Sequence, residues 1–216
     1  YANNGGKNYL FLNQGDGTFR EVSEEMGLTD TRWTLAAVAS DFNGSGYPDL
    51  FFANDFGADQ FFVNESGERF RNASEASNVG QVPKSGMNAS MGDVINSGRQ
   101  AVYVSNLTEE GVLVQGNNLW MPDTTRASGT PQFDNLATTM GVAKAGWSYG
   151  AQFGDLNNDG WQDLFVVNGF YSGESRESYW YDFSKIAGGY KNIIEDAVNW
   201  PAMEGRSLSG YQRTHI

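Results

Sequence analysis

Short apolar runs separated by clusters of Asp, Asn and Gly recur along the chain. Leu50-Phe-Phe-Ala, Gln60-Phe-Phe-Val and Leu164-Phe-Val-Val are too short for helices, rich in aromatic and β-branched residues, and bounded by turn residues, so they read as strands. The runs are also periodic. Thr34–Asn54, Gly86–Asn106 and Ser148–Asn168 align without gaps, at offsets of 52 and 62 residues. In this register Asp41, Asp93 and Asp155 coincide, as do Gly46, Gly98 and Gly160, and Asn54, Asn106 and Asn168. A second unit lies between them: Asn8–Glu25 matches Asp59–Ala76 at offset 51, with Asn13/Asn64, Phe19/Phe70, Arg20/Arg71 and Ser23/Ser74 in step. Its third copy is looser, with one strand expected at Gly111–Gln115, another at Pro131–Ala137, and an irregular insert over Gly116–Thr130 between them. Each period of roughly 50–60 residues thus holds four short strands and three turns. That pattern predicts an all-β protein built of four-stranded antiparallel sheets repeated radially, the blades of a β-propeller.

The predicted blade pieces are 1–30, 31–82, 83–145 and 146–216, a partial ring. Tyr1–Asn8 aligns with Phe52–Asp59, so the chain opens inside a blade, and we read it as part of a longer propeller with sequence on both sides. After Asn168 the period changes. Tyr179, Phe183 and Ile186, then Tyr190, Ile193, Ile194, Ala197 and Val198, fall at helical spacing, with Gly188-Gly189 between the two stripes and Pro201 after them. This predicts a helical insertion over 171–205 that packs on the propeller.

Charge narrows the partners. With 14 Lys+Arg against 26 Asp+Glu the net charge is −12, which disfavours nucleic acid and anionic membrane surfaces and favours cations. There is no Cys, and the single His is His215, so disulfides, thiolate chemistry, His metal clusters and His-based triads are excluded within the sequence. No run reaches the ~18 apolar residues of a membrane span. At 14% aromatic residues and 27 Gly, the composition suits short strands and tight turns rather than disorder.

Two turns carry chemistry. Asp41-Phe-Asn-Gly-Ser-Gly-Tyr-Pro-Asp49 and Asp155-Leu-Asn-Asn-Asp-Gly-Trp-Gln-Asp163 place oxygen side chains at positions 1, 3, 5 and 9 and Gly at 6. A hard cation such as Ca²⁺ takes six or more oxygens, and a tight turn converges alternate side chains on one point. The predicted ligands are Asp41, Asn43, Ser45 and Asp49 with the Tyr47 carbonyl, and Asp155, Asn157, Asp159 and Asp163 with the Trp161 carbonyl. An EF-hand needs Glu at position 12 and a following helix; here Phe52 and Val166 stand there, within strands. The alternative is a plain Asx/Gly turn without metal; two full copies at one register favour the cation. Position 5 makes the second loop the tighter one, because Asp159 brings a charge that Ser45 lacks. The middle loop keeps Asp93 but has Ile95, Ser97 and Ala101 at positions 3, 5 and 9, so it is expected to keep its turn and bind no calcium.

The stretches Asp155–Leu164 and Asp41–Leu50, with Phe153-Gly154 before the former, resemble the FG-GAP/VCBS repeat of integrin-α-type propellers. Asn8–Leu28 and Leu208–Ile216 are similar to a bacterial exported branch related to ASPIC/UnbV proteins. This resemblance implies a seven- or eight-bladed, calcium-stabilised, non-catalytic propeller at an extracellular, cell-surface or periplasmic location. It covers residues 1–170 well and the expected helical insertion weakly. The degenerate middle loop and the insert Gly116–Thr130 depart from the family pattern, and the insert is a candidate binding loop.

The remaining candidates read more plainly. Asn64, Asn72, Asn88 and Asn106 match the N-glycosylation pattern, as does the predicted ligand Asn43, in a sequence where chance matches are expected. Asn54, Asn106 and Asn168 are expected to cap turns. Asp55 and Asp59 read as an exposed polar turn rather than an extension of the cation site. Trp120 and Tyr179-Trp180-Tyr181 suit packing better than sugar stacking. Glu174/Glu177 and Glu195/Asp196 read as solvated faces rather than an acid/base pair. The resulting expectation is a non-catalytic module that binds calcium and meets another protein, a glycan or copies of itself. The alternative is a propeller domain of a polysaccharide-active enzyme such as a lyase; a third reading is an accessory subunit of an exported assembly.

Overall fold

The computed structural model describes residues 3–109, 113–123, 129–168, 198 and 200–205. Fourteen strands are described: β1 Phe11–Asn13, β2 Phe19–Glu21, β3 Trp33–Ser40, β4 Asp49–Asp55, β5 Gln60–Glu65, β6 Arg69–Asn72, β7 Asn88–Gly92, β8 Ala101–Ser105, β9 Leu107–Glu109, β10 Leu113–Val114, β11 Asn118–Pro122, β12 Phe133–Asn135, β13 Gly146–Gly154 and β14 Asp163–Asn168. All pairing is antiparallel. The sheets run β3-β4-β5-β6, β12-β11-β8-β7 and β10-β9-β13-β14, with β1-β2 as a separate two-stranded piece. The first two four-stranded sheets have the expected blade order, whereas the third joins β9 and β10, from the stretch assigned to the middle blade, to β13 and β14. The run Gln60-Phe-Phe-Val is there as β5, and its repeat counterpart in Asn8–Glu25 as β1.

The repeat is kept in register as well as in sequence. Phe11↔Glu21, Leu12↔Arg20 and Asn13↔Phe19 in β1–β2 recur as Phe62↔Asn72, Val63↔Arg71 and Asn64↔Phe70 in β5–β6. The first hairpin therefore has the pairing of a blade's outer half. The leading strands β3, β7 and β13 lie side by side, β3 against β7 and β7 against β13.

The cores lie between sheets. Phe51, Phe61 and Val63 of one sheet meet Val102, Val104, Trp120 and Phe133 of the next. Tyr103, Leu119 and Met121 then meet Phe153 and Val166 of the third. Phe52, Phe62 and Phe70 pack against Leu10, Met26 and Leu28 of the first hairpin and its exit turn. Middle strands are covered on both faces, so β4, β5 and β8 are nearly continuous apolar runs rather than alternating ones. Burying an aromatic side chain such as Phe51 or Phe61 stabilises by about 1.5–3 kcal/mol, which is why each blade devotes its second and third strands to them.

Two expectations are corrected. The third strand of the middle blade is β11, inside the stretch taken for an irregular insert; Leu119 pairs with Tyr103 and Trp120 with Val102. Leu113 and Val114 instead form a small hairpin with β9, and β9 pairs with the start of β13, Trp147 opposite Leu107. Burial explains the choice: Asn118, Leu119, Trp120 and Met121 are buried, whereas Leu113 and Val114 are exposed. Within the run Gly116–Thr130, Asn118–Met121 is thus core. The helical insertion expected over 171–205 is not borne out. Of it, residues 198 and 200–205 are described and carry no α-helix; the rest, with Tyr179-Trp180-Tyr181 and the Glu174/Glu177 and Glu195/Asp196 pairs, lies outside the described residues.

Candidate metal centre

The three acidic turns join the first two strands of successive blades and share one backbone. In each, the residue before position 1 pairs with position 9: Ser40↔Asp49, Gly92↔Ala101 and Gly154↔Asp163. Positions 4 and 6 are left-handed in all three, with φ of 71° and 87° at Gly44 and Gly46, 51° and 79° at Asn96 and Gly98, and 61° and 89° at Asn158 and Gly160. Only Gly or Asn takes this conformation at low cost, so the recurrence of these residues is a backbone requirement.

Within 41–49 the side chains turn inward on main-chain donors. The Asp41 carboxylate accepts from the Ser45 and Gly46 N–H groups at 2.9 and 2.7 Å, and Asn43 Oδ1 accepts from Ser45 N–H at 2.9 Å. Asp49 is fully buried. Its oxygens accept from Phe42 N–H at 3.1 Å and from Asn64 N–H, on β5, at 2.8 Å. Burial, reinforced by the nearby Asp41 charge, pushes the Asp49 carboxyl up to about 6 against its three main-chain donors.

Loop 155–163 repeats the pattern. The Asp155 carboxylate accepts from Asp159 and Gly160 N–H at 3.0 and 2.9 Å, and Asn157 Oδ1 from Asp159 N–H at 3.0 Å. Asp159 accepts from Trp161 N–H at 2.9 Å, and Asp163 from Leu156 N–H at 3.0 Å. The predicted side-chain ligands therefore lie on two turns of the same backbone shape.

The chemistry of the donor sets fits a hard cation. Each combines two or three carboxylates, an amide oxygen and a carbonyl, with Ser45 supplying a hydroxyl in the first. A carboxylate oxygen that accepts one N–H keeps capacity for another partner. None of the ion pairs among the described residues involves a loop carboxylate. The middle loop differs as its sequence suggests. Asp93 accepts from Ser97 and Gly98 N–H at 2.9 and 2.6 Å, and these bonds, Ser97 foremost, hold its carboxyl below the ordinary value. Ile95 points to solvent at position 3, and Ala101 is fully buried at position 9. This loop is closed by its own amides around one carboxylate.

The opposite ends of the strands hold a different group, which the sequence reading missed. Asp55 and Asp59 are buried rather than exposed. Asp59 accepts from Asn118 Nδ2 and Trp120 Nε1, both at 3.0 Å, while Lys84 Nζ donates to the Gly116 carbonyl at 2.8 Å. Burial raises Asp59 to about 6 and lowers Lys84. The only sequence signal was an Asp followed by an apolar strand, which cannot specify a partner some 60 residues on. Trp120 is thus a packing and hydrogen-bonding residue, as expected.

Asn54 caps its turn as expected, donating to the Ala58 carbonyl at 2.8 Å and to Gln60 Oε1 at 3.0 Å; Asn106 donates to the Val104 carbonyl. Of the glycosylation matches, Asn64 and Asn106 are buried, and Asn72 is exposed.

The fold and its turns define a class: four-stranded antiparallel blades of a repeat protein, linked by acidic turns. Residues 1–52 match the FG-GAP-like repeat. The chain is also homologous to cartilage acidic protein 1: 28% identical to the Xenopus tropicalis and Mus musculus proteins over 171 residues, 77% of this chain and 26% of each relative, and 27% identical to the Homo sapiens protein. The chain spans about a quarter of the length of these curated relatives.

Proposed function

We propose that this chain is part of a non-catalytic, exported β-propeller that binds calcium and serves as a binding, adhesion or assembly module. The observation that carries the reading is the pair of turns 41–49 and 155–163, which share one backbone shape and present oxygen side chains at positions 1, 3, 5 and 9, beside a middle turn that has lost those at positions 3 and 9. Each full turn holds one Ca²⁺ through Asp41, Asn43, Ser45, Asp49 and the Tyr47 carbonyl, or through Asp155, Asn157, Asp159, Asp163 and the Trp161 carbonyl. The ion neutralises carboxylates that otherwise repel one another and ties the first two strands of the blade together. The FG-GAP-like repeat and the relatives support a repeat protein rather than an enzyme. A relative named for cartilage, a tissue rich in extracellular matrix, supports export. Its partner is another protein, a glycan or another copy of the chain.

The test is calcium titration by calorimetry. Two sites per chain are expected, with affinities in the range of about 10⁻⁴–10⁻³ M typical of extracellular modules, the 155–163 site the tighter. No heat of binding at millimolar calcium, or turnover of an acidic polysaccharide by the chain, would overturn the reading.

A further inference from the structure

The middle loop, which has lost the ligands at positions 3 and 9, makes a contact that the first loop does not repeat. Asn96, at its left-handed position 4, donates from Nδ2 to the carbonyl of Gly160 in the next blade's loop at 3.0 Å. The same peptide unit carries the Trp161 N–H, which donates to Asp159 Oδ1 at 2.9 Å. A peptide is planar, so fixing its oxygen fixes the direction of its N–H and with it the Asp159 carboxylate. On the other side Gly160 N–H is held by Asp155. The two loops also meet at Gly92, where a Cβ would stand 2.5 Å from Phe153 and 2.6 Å from Gln162. In the first loop position 4 is Gly44, which has no side chain to reach across.

We propose that Asn96 is a positioning residue: it braces the 155–163 loop across the blade boundary and so preorganises the Asp159 ligand. The degenerate loop has exchanged an ion of its own for a grip on its neighbour's. The effect on cation affinity rests on the calcium reading above; the effect on loop order does not.

The test compares the 216-residue chain with Asn96→Gly, which keeps the left-handed backbone and removes the amide, and with Asn96→Asp, which keeps the shape and removes the donor. Terbium luminescence excited through tryptophan reads the site beside Trp161, and the difference from Asp163→Ala isolates it. Hydrogen exchange in chelator reads the amides of 159–161, with those of 43–47 as control. Both variants are expected to weaken terbium binding about two- to tenfold, what one net hydrogen bond is worth, to speed exchange at 159–161 alone, and to leave the melting temperature nearly unchanged. Unchanged affinity together with unchanged exchange overturns the proposal. Faster exchange in a chain whose wild type binds no terbium upholds the brace and removes the calcium reading.

Discussion

Asp59, in the turn between β4 and β5, accepts a 3.0 Å hydrogen bond from the indole Nε1 of Trp120 on the third strand of the next blade. Asn118 Nδ2 reaches the same oxygen at 3.0 Å. A single buried carboxylate therefore fastens one blade to its neighbour at the end opposite the acidic loops. Asp59→Ala leaves two buried donors without a partner, so it should cost about 2–4 kcal/mol in denaturant unfolding. Trp120→Phe keeps most of the packing and removes one donor, and should cost about 1 kcal/mol. Equal, negligible losses in both would show that water replaces the carboxylate freely.

Asp49 and Asp59 together set a pH dependence. Each has a folded-state pKa of about 6, above the ordinary 3.8. At these two groups the folded state binds protons more tightly than the unfolded one, so the stability they contribute is fully present below about pH 4 and is lost as pH rises through about 6. In chelator, the melting temperature should be several degrees higher at pH 5 than at pH 7. Calcium should flatten the Asp49 share, because the cation offsets its ionised form. A chelated protein that melts higher at pH 7 than at pH 5 would contradict both assignments.

Calcium should stabilise unequally. At millimolar calcium a site of about 10⁻⁴ M adds roughly 1.4 kcal/mol by mass action. Asp163→Ala should lose the increment of the 155–163 site, keep that of 41–49, and melt slightly below wild type in chelator, since it removes the acceptor for Leu156 N–H. Asp49→Ala should also be weaker in chelator, since it removes the acceptor for Phe42 and Asn64 N–H. Asp93→Ala should leave the calcium increment intact. Thermal melts with and without chelator read all three, and an increment lost equally in Asp93→Ala and Asp163→Ala would reject the ligand assignment.

Gly80 has a φ of 67°, and a Cβ there would lie 2.2 Å from the Asp59 carbonyl oxygen. Backbone cannot yield as a side chain tip does, so Gly80→Ala should destabilise by about 3 kcal/mol or more. Gly15, with a φ of 80° and nothing near its would-be Cβ, should cost only about 1 kcal/mol on the same change. Matched unfolding curves of the two variants check the ordering.

The blades were legible because each is a local object. Four apolar runs and three turns repeat within one period, and pairing follows chain order wherever the connections are short. The acidic loops were legible for the same reason: position 1 and position 9 face each other within one hairpin, and Gly or Asn at positions 4 and 6 answers to backbone conformation alone. Legibility failed where two apolar runs competed for one edge. Leu113-Val114 and Asn118–Pro122 both satisfy strand chemistry; burial against Phe51, Phe61 and Tyr103 selects the second, and that burial exists only once neighbouring sheets are packed. It failed again at Asp59, whose carboxylate looks like any exposed turn residue until Trp120 and Asn118 arrive from the next blade.

By itself, then, the sequence determined the repeat, the strand count per blade, the shape of the three acidic turns and the donor types in two of them, all of which depend on contacts within a few residues. Only the tertiary structure decided which strand completes the middle blade, that Asp55 and Asp59 are buried, and that Asn96 holds Gly160. Each of those depends on side chains brought together across a blade boundary from about 30 to 70 residues away, where no local periodicity records the partner.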